Sequence, residues 1–204
     1  MGTTTKTLSA AVALVTLLFC VSAAQAQEFM PTTGATTQPV GHYDFCQRTP
    51  SECRKTVAHK PLELTRNLWA AMVKINDVVN NAVTPRTDAE IWGVEEYWSY
   101  PTNGYGDCED YALEKRRRLI DAGVPASNLM ITVVRQPNGD GHAVLAINTA
   151  KGDFILDNLE PSVLAWNETG YQFLKRQSSK HAGMWVGIED DRDLLLVSSV
   201  SGRR

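Results

Sequence analysis

Three residues whose side chains could together perform nucleophilic catalysis lie far apart in the chain: Cys108, His142 and Asp157. The thiolate is the attacking form of cysteine, and an ordinary thiol, with a pKa near ~8.5, is mostly protonated at neutral pH. A helix N-terminus and a neighbouring imidazolium each lower that pKa. We therefore expect Cys108 to be the nucleophile, His142 its base, and Asp157 the residue that orients the imidazole.

The sequence around Cys108 predicts the start of a helix that runs to about Ala122. Asp107 is a favourable N-cap residue, and glycines break the chain just before it. The unsatisfied N–H groups of the first turn would lower the pKa of the thiol and could hold an oxyanion. The carboxylates of Asp107 and Glu109 act in the opposite direction unless a cation neutralises them.

Three strands are predicted after this helix, and an Asn-Gly turn joins the first two. They cover Met130–Arg135, His142–Asn148 and Phe154–Asp157. If a tight turn joins the second and third strands at Ala150-Lys151, residue 144 faces residue 157. His142 and Asp157 are then diagonal neighbours on one face of the sheet. A shift of one residue in register would place them on opposite faces.

The remaining patterns define the fold class. Apolar residues recur at helical spacing from Leu62 to Val83, and Thr84-Pro85 ends that helix. Residues 88–107 predict a long irregular connection. Further strands are predicted at Tyr171–Arg176, Met184–Ile188 and Leu194–Val200. Helices followed by an antiparallel sheet indicate one α+β domain over residues 61–204.

The N-terminal residues have the pattern of an export signal. Lys6 precedes an apolar stretch from Leu8 to Val21, and Ala24-Gln25-Ala26 matches a small-x-small cleavage site. Residues 1–26 are therefore predicted to be a signal peptide, which places the mature chain in the periplasm or outside the cell. The apolar stretch is too short to predict a membrane span.

Residues 27–60 predict a flexible arm, because residues 27–41 are rich in Thr, Gly and Pro and lack hydrophobic periodicity. In an oxidising compartment Cys46 and Cys53 are expected to form a disulfide within this arm. That pairing leaves Cys108 as the free thiol of the mature chain.

The charge pattern argues against a nucleic-acid partner. The formal net charge is -3, and a nucleic-acid-binding protein is expected to have a basic surface. The basic run Lys115-Arg116-Arg117-Arg118 is interpreted as a solvated helix face.

The same residues are also compatible with two interpretations that do not involve catalysis. A single cysteine is more often a small buried hydrophobic residue. A zinc site has suitable ligand types in Cys46, Cys53, Cys108 and His142, but no short Cys-pair spacing supports it. The combination of an acid-flanked cysteine at a helix start with His and Asp on adjacent strands favours catalysis.

Several segments resemble the bacterial transglutaminase-like cysteine proteinases. They are Gly106–Ala112, Gly141–Leu145, Gly152–Asn158, Trp92-Gly93, Tyr97–Pro101 and Arg176-Gln177. The resemblance implies a papain-like, transglutaminase-like α+β fold with N-terminal helices packed on an antiparallel sheet. It also implies a Cys-His-Asp triad in this chain order.

The best-known members of that family are calcium-dependent periplasmic proteases that cut biofilm adhesins. The resemblance implies a thiol peptidase with a protein substrate, and calcium ligands at Asp107 and Glu109. Asp88, Glu95 or Glu96 are candidates for further ligands. An acyltransferase or crosslinking enzyme with the same triad, and a non-catalytic binding module, stay open as alternatives.

Overall fold

The computed structural model describes residues 1–2 and 29–192. Most of the predicted signal peptide, with its cleavage site, and the predicted strand Leu194–Val200 lie outside these ranges. No helix in the described part of the chain is long and apolar enough to cross a membrane. The helices are α1 (Val40–Arg48), α2 (Arg66–Ala82), α3 (Asp88–Trp92) and α4 (Cys108–Asp121).

The strands are β1 (Thr32–Thr36), β2 (Thr84–Pro85), β3 (Tyr105–Gly106), β4 (Leu129–Arg135), β5 (Gly141–Thr149), β6 (Gly152–Leu156), β7 (Leu164–Ala165), β8 (Gln172–Ser178) and β9 (His181–Ile188). Seven of them form an antiparallel sheet in the order β1-β9-β8-β4-β5-β6-β7. The short strands β2 and β3 pair in parallel. Helix α4 packs on β4 and β5, and α2 packs on α4, so the predicted α+β fold is confirmed.

The hydrophobic core lies on both faces of the central strands. On one face, side chains of β4, β5 and β6 pack against α4 through Ala112, Leu113 and Leu119. On the other face, β4 and β5 pack against Trp166 and Phe173. A helix and strands held by two such layers make a rigid frame for the side chains at their ends.

The predicted flexible arm differs from the structure. Within residues 29–60, β1 pairs with β9, and α1 buries His42 and Phe45 against the core. The disulfide between Cys46 and Cys53 joins α1 to the short helix that follows. Strand β1 is ordered by its pairing with β9, which lies near the other end of the domain. The local composition of residues 29–60 gives no indication of that pairing.

The prediction of a solvated face for the basic run of α4 is wrong for two of its four residues. Lys115 is 1% exposed and Arg116 is 4% exposed. Arg116 donates to the Leu129 carbonyl and pairs with Glu52. Of the four residues, only Arg117 and Arg118 reach solvent. Both pair with the carboxylate of Glu114, which is itself buried. The central position of α4 explains the difference, because most directions around this helix lead into protein.

Candidate active site

Cys108 is the first residue of α4 and is a free, partly exposed cysteine, as predicted. Two contacts fix the chain at this point. A Cβ on Gly106 would lie 2.7 Å from the Asp110 Cβ, so glycine allows the close approach of β3 to the first turn of α4. The Asp110 carboxylate accepts a hydrogen bond from the Ser99 N–H at 2.7 Å, which ties the preceding loop to the same turn.

His142 and Asp157 meet on the sheet side of the site. Strand β5 pairs with β6 in the predicted register, with Leu145 opposite Leu156. The His142 Nε2 and the Asp157 Oδ1 are 2.7 Å apart, and both side chains are buried. The predicted placement on one face is therefore confirmed. Since Nε2 is engaged by Asp157, Nδ1 is the ring nitrogen left for the thiol.

One cavity of about 450 Å³ joins Cys108 to His142. Its wall also includes Trp98, Glu96, Pro39 and Lys175. The backbone N–H of Ala143, which directly follows His142, lies near enough to the Cys108 sulfur to act toward lowering the pKa of its thiol. The start of α4 and the start of β5 therefore converge, and a substrate bond placed in this cavity would be within reach of both side chains.

The protonation of Cys108 differs from the sequence-based expectation. Burial raises the pKa of the Cys108 thiol well above its ordinary value, and the neighbouring Glu109 carboxylate raises it further. The thiol donates to the Glu109 Oε2 at 2.7 Å. The helix N-terminus alone therefore does not make the sulfur anionic, because burial and adjacent carboxylates outweigh the helix dipole.

Three acidic residues crowd together beside the sulfur. Asp88, Asp107 and Glu109 each offer a carboxylate oxygen, and these oxygens lie within 4.8 Å of one another. Burial raises the pKa of Asp107 to about 8, and the charges of Glu109 and Asp88 add to that effect. Asp107 occupies the predicted N-cap position, yet its side chain makes no capping hydrogen bond.

The acid cluster has buried oxygens without partners. Among the described residues, Asp88 Oδ1 and Asp107 Oδ1 have no hydrogen-bond partner. The other Asp88 oxygen accepts from the Tyr97 N–H. Buried acceptors normally have partners. A set of oxygen ligands with two unpaired atoms fits a hard cation such as Ca²⁺.

Asp88 is the candidate that joins Asp107 and Glu109, whereas Glu95 is not part of the group. Glu96 lines the cavity instead, where its Oε2 accepts from the Trp98 indole N–H. A capping box between Thr87 and Glu90 starts α3 at Asp88. That motif stands in the sequence, within residues predicted to be irregular, and would have located Asp88 at a helix start.

The zinc alternative is contradicted by the sulfur pairing. Cys46 and Cys53 form a disulfide, and the histidine beside them is His42 rather than His142. Asp157 has a further partner that the sequence did not indicate. Tyr171 was predicted only to begin a strand, and its hydroxyl donates a hydrogen bond to the Asp157 Oδ2.

The comparisons with known proteins agree with this fold. The family model described as bacterial transglutaminase-like cysteine proteinase BTLCP matches residues 32–193. The chain belongs to this family and is a cysteine peptidase, which confirms the resemblance noted in its sequence motifs.

Solved structures of Legionella pneumophila LapG are similar to this chain. The calcium-bound form is 26% identical, has a TM-score of 0.51, and is matched over 61% of this chain and 71% of that chain. A second LapG structure is 30% identical with a TM-score of 0.48, over 57% of this chain and 67% of that one. No curated protein matches the chain.

Proposed function

We propose that this chain is an exported thiol peptidase that hydrolyses a protein substrate through Cys108, His142 and Asp157. The supporting observation is the convergence at one cavity. Cys108 and His142 line the same cavity, and the His142 imidazole is hydrogen-bonded to the buried Asp157 carboxylate. A nucleophile, a base and an orienting carboxylate at one site are what catalysis by cysteine requires.

The reaction follows from the two nitrogens of His142. Nδ1 takes the proton of Cys108, and the sulfur attacks the carbonyl carbon of the scissile peptide bond. The C–N bond breaks as the imidazolium returns that proton to the leaving amine, and a thioester remains on Cys108. Water, deprotonated by His142, then hydrolyses the thioester to a carboxylic acid and the free thiol. Asp157 holds the ring and stabilises the imidazolium through Nε2.

The acids beside the sulfur have a separate role in this proposal. Asp88, Asp107 and Glu109 would hold a calcium ion, which when bound supplies positive charge that offsets their effect on the thiol. The similarity to a calcium-bound LapG supports the choice of metal. The unpartnered oxygens of Asp88 and Asp107 supply independent support from this chain's own geometry.

The place of action is proposed from the sequence and the cysteines. A signal peptide over residues 1–26 would direct the chain to the periplasm or outside the cell. The disulfide between Cys46 and Cys53 fits such an oxidising compartment. The substrate would be a protein that meets the enzyme there.

The experiment compares periplasmic and surface proteins of cells that carry wild-type enzyme, Cys108→Ala or His142→Ala, followed by assay of the purified enzymes on the protein that is cut. Loss of the nucleophile or its base is expected to lower cleavage by at least about 10⁴-fold. His59→Ala is the matched control, because His59 is an exposed histidine. Cleavage that persists in Cys108→Ala would refute the proposal. Incorporation of an added tagged amine in place of water would indicate acyl transfer.

A further inference from the structure

We infer that Tyr171 is a positioning residue that fixes the carboxylate of Asp157, and through it the imidazole of His142. The inference rests on the proposed function, because it assigns Tyr171 a task within that triad. Tyr171 lies just before β8, outside the segments whose motifs indicated the site.

The hydrogen bonds of Asp157 give each of its oxygens a different task. Oδ2 accepts from the Tyr171 hydroxyl at 2.5 Å. Oδ1 accepts from His142 Nε2 at 2.7 Å and from the Leu159 N–H at 3.0 Å. Because three donors hold the two oxygens, the carboxylate cannot turn without breaking several hydrogen bonds. The Tyr171 hydroxyl is the donor that holds the oxygen facing away from His142.

The ring of Tyr171 contacts the histidine as well. The rings of Tyr171 and His142 meet edge to face, with 5.5 Å between their centroids. One side chain therefore packs against the imidazole and also donates to its carboxylate partner. This double contact restricts both the tilt of the imidazole and the rotation of the carboxylate.

Tyr171 is itself anchored by Arg192. The Tyr171 carbonyl accepts from Arg192 Nη2 at 2.6 Å. The Arg192 guanidinium lies 4.5 Å from the centre of the Trp166 ring and 5.3 Å from that of Phe173. It also pairs with Asp190 at 2.7 Å. A tyrosine held at its backbone by a stacked and paired arginine can place its hydroxyl reproducibly.

A neighbouring cavity leaves space beside the Asp157 carboxylate, and the Tyr171 hydroxyl keeps the carboxylate from rotating into it. This cavity, of about 320 Å³, borders both Asp157 and Tyr171 and includes the apolar residues Pro137, Ile155 and Leu164 in its wall. Without Tyr171 the carboxylate would be held only at Oδ1, and rotation about that oxygen would carry Oδ2 toward this cavity. Packing alone would not prevent that rotation, whereas a hydrogen bond to Oδ2 does.

The protonation of both groups suits this role. Burial acts to raise the pKa of Asp157, but the hydrogen bonds from His142 and Tyr171 outweigh it and hold that pKa below its ordinary value. Burial and the bond to Asp157 raise the pKa of Tyr171. The aspartate therefore stays an acceptor and the phenol stays a donor, and no proton passes between them.

The test is Tyr171→Phe, which removes the hydroxyl and keeps the ring. A hydrogen bond to a charged group corresponds to a change of roughly 10-fold or more in rate. We expect kcat for the protein substrate to fall by that factor with KM unchanged, because Tyr171 does not line the cavity that joins Cys108 to His142. Tyr100→Phe is the matched control. Tyr100 is a half-buried phenol near the Glu52 carboxylate and away from the triad, and loss of its hydroxyl should leave kcat within about twofold.

A double-mutant cycle separates positioning from general packing. If Tyr171 acts through Asp157, then Tyr171→Phe costs nothing further in an Asp157→Ala background. A wild-type kcat for Tyr171→Phe, or the same loss with and without Asp157, would overturn the inference. Should the variant fail to fold, proton NMR of the wild type decides: a slowly exchanging Tyr171 hydroxyl is expected, and a freely exchanging one overturns it. Unimpaired cleavage by Cys108→Ala would instead refute the proposed function itself.

Discussion

The two sides of Cys108 are organised in opposite ways. On the sheet side, the imidazole of His142, both oxygens of Asp157 and the hydroxyl of Tyr171 hydrogen-bond to one another. On the other side, Asp88 and Asp107 each have a buried oxygen without a partner among the described residues. On the sheet side both oxygens of the Asp157 carboxylate have partners, whereas on the acidic side two carboxylates each keep a buried oxygen without one.

This difference separates the geometry of the site from its electrostatics. The sheet side can hold the base in place whether or not any ligand is bound. The acidic side keeps the sulfur protonated until its charge is offset, because burial and Glu109 both raise the pKa of Cys108. We therefore expect the acidic side to respond to cations, and the sheet side to keep its hydrogen bonds with or without them.

The largest effect on stability is expected at His42, a buried histidine of α1 that belongs to neither side of Cys108. His42 is 1% exposed, and its Nδ1 accepts from the Trp185 indole N–H at 3.1 Å. Burial lowers the pKa of His42 to about 4, and the charge of Arg116 adds to that effect. As the pH falls from 6.5 to 4, His42 binds a proton in the unfolded chain but stays neutral in the folded chain. The free energy of unfolding should therefore fall by up to about 3 kcal/mol as the pH falls through this range, and it should level off below pH 4.

Urea denaturation at a series of pH values measures this slope. The difference between wild type and His42→Asn should grow as the pH rises through this window, because only the wild type gains the histidine's contribution. His59→Asn, at an exposed site, is the control. Parallel pH profiles for wild type and His42→Asn would show that the buried surroundings of His42 tolerate a charge, and would contradict this prediction.

A slightly smaller effect is expected when calcium is added to the acidic side. At 100 times its Kd, a ligand that binds only the folded state stabilises it by about 2.7 kcal/mol. For a domain of this size that is roughly 5 to 10 °C in Tm. Thermal melts with calcium and with chelator measure the shift. Asp107→Asn should lose most of it, since Asp107 contributes one of the clustered oxygens.

Asp44→Asn is the matched control for the calcium melts, because Asp44 is exposed on α1. It should keep the full shift. A shift of equal size in Asp107→Asn would place calcium elsewhere. The absence of any shift in wild type would mean that the acidic side is stable without a cation, and the contrast with the sheet side would disappear.

The parts of the site that could be predicted depend on local signals. Glycines precede Cys108 and Asp107 stands at the N-cap position, so the sequence indicates a helix start here even though the Asp107 side chain makes no capping hydrogen bond. The Asn-Gly turn, with φ of 96° at Gly139, and the tight turn after Thr149 set the registers of β5. Because side chains alternate along a strand, those registers were enough to bring His142 and Asp157 to one face.

The parts that could not be predicted depend on contacts between distant segments. Strand β1 has exposed side chains and is ordered by its pairing with β9. Lys115 and Arg116 are buried because other layers cover α4, which a charge pattern cannot reveal. Tyr171 reaches Asp157 only through the order of strands in the sheet. Asp88 is different, because the capping box that positions it was present in the sequence.

The most direct test of the account is the rate at which iodoacetamide alkylates Cys108, the free cysteine among the described residues. We predict slow alkylation in chelator, where the acids keep the thiol protonated, and alkylation at least about 10-fold faster with calcium. The increase should disappear in His142→Ala, which lacks the base. Equal rates in chelator, in calcium and in His142→Ala would contradict the claim that Cys108 and His142 form a reactive pair under the control of the neighbouring acids.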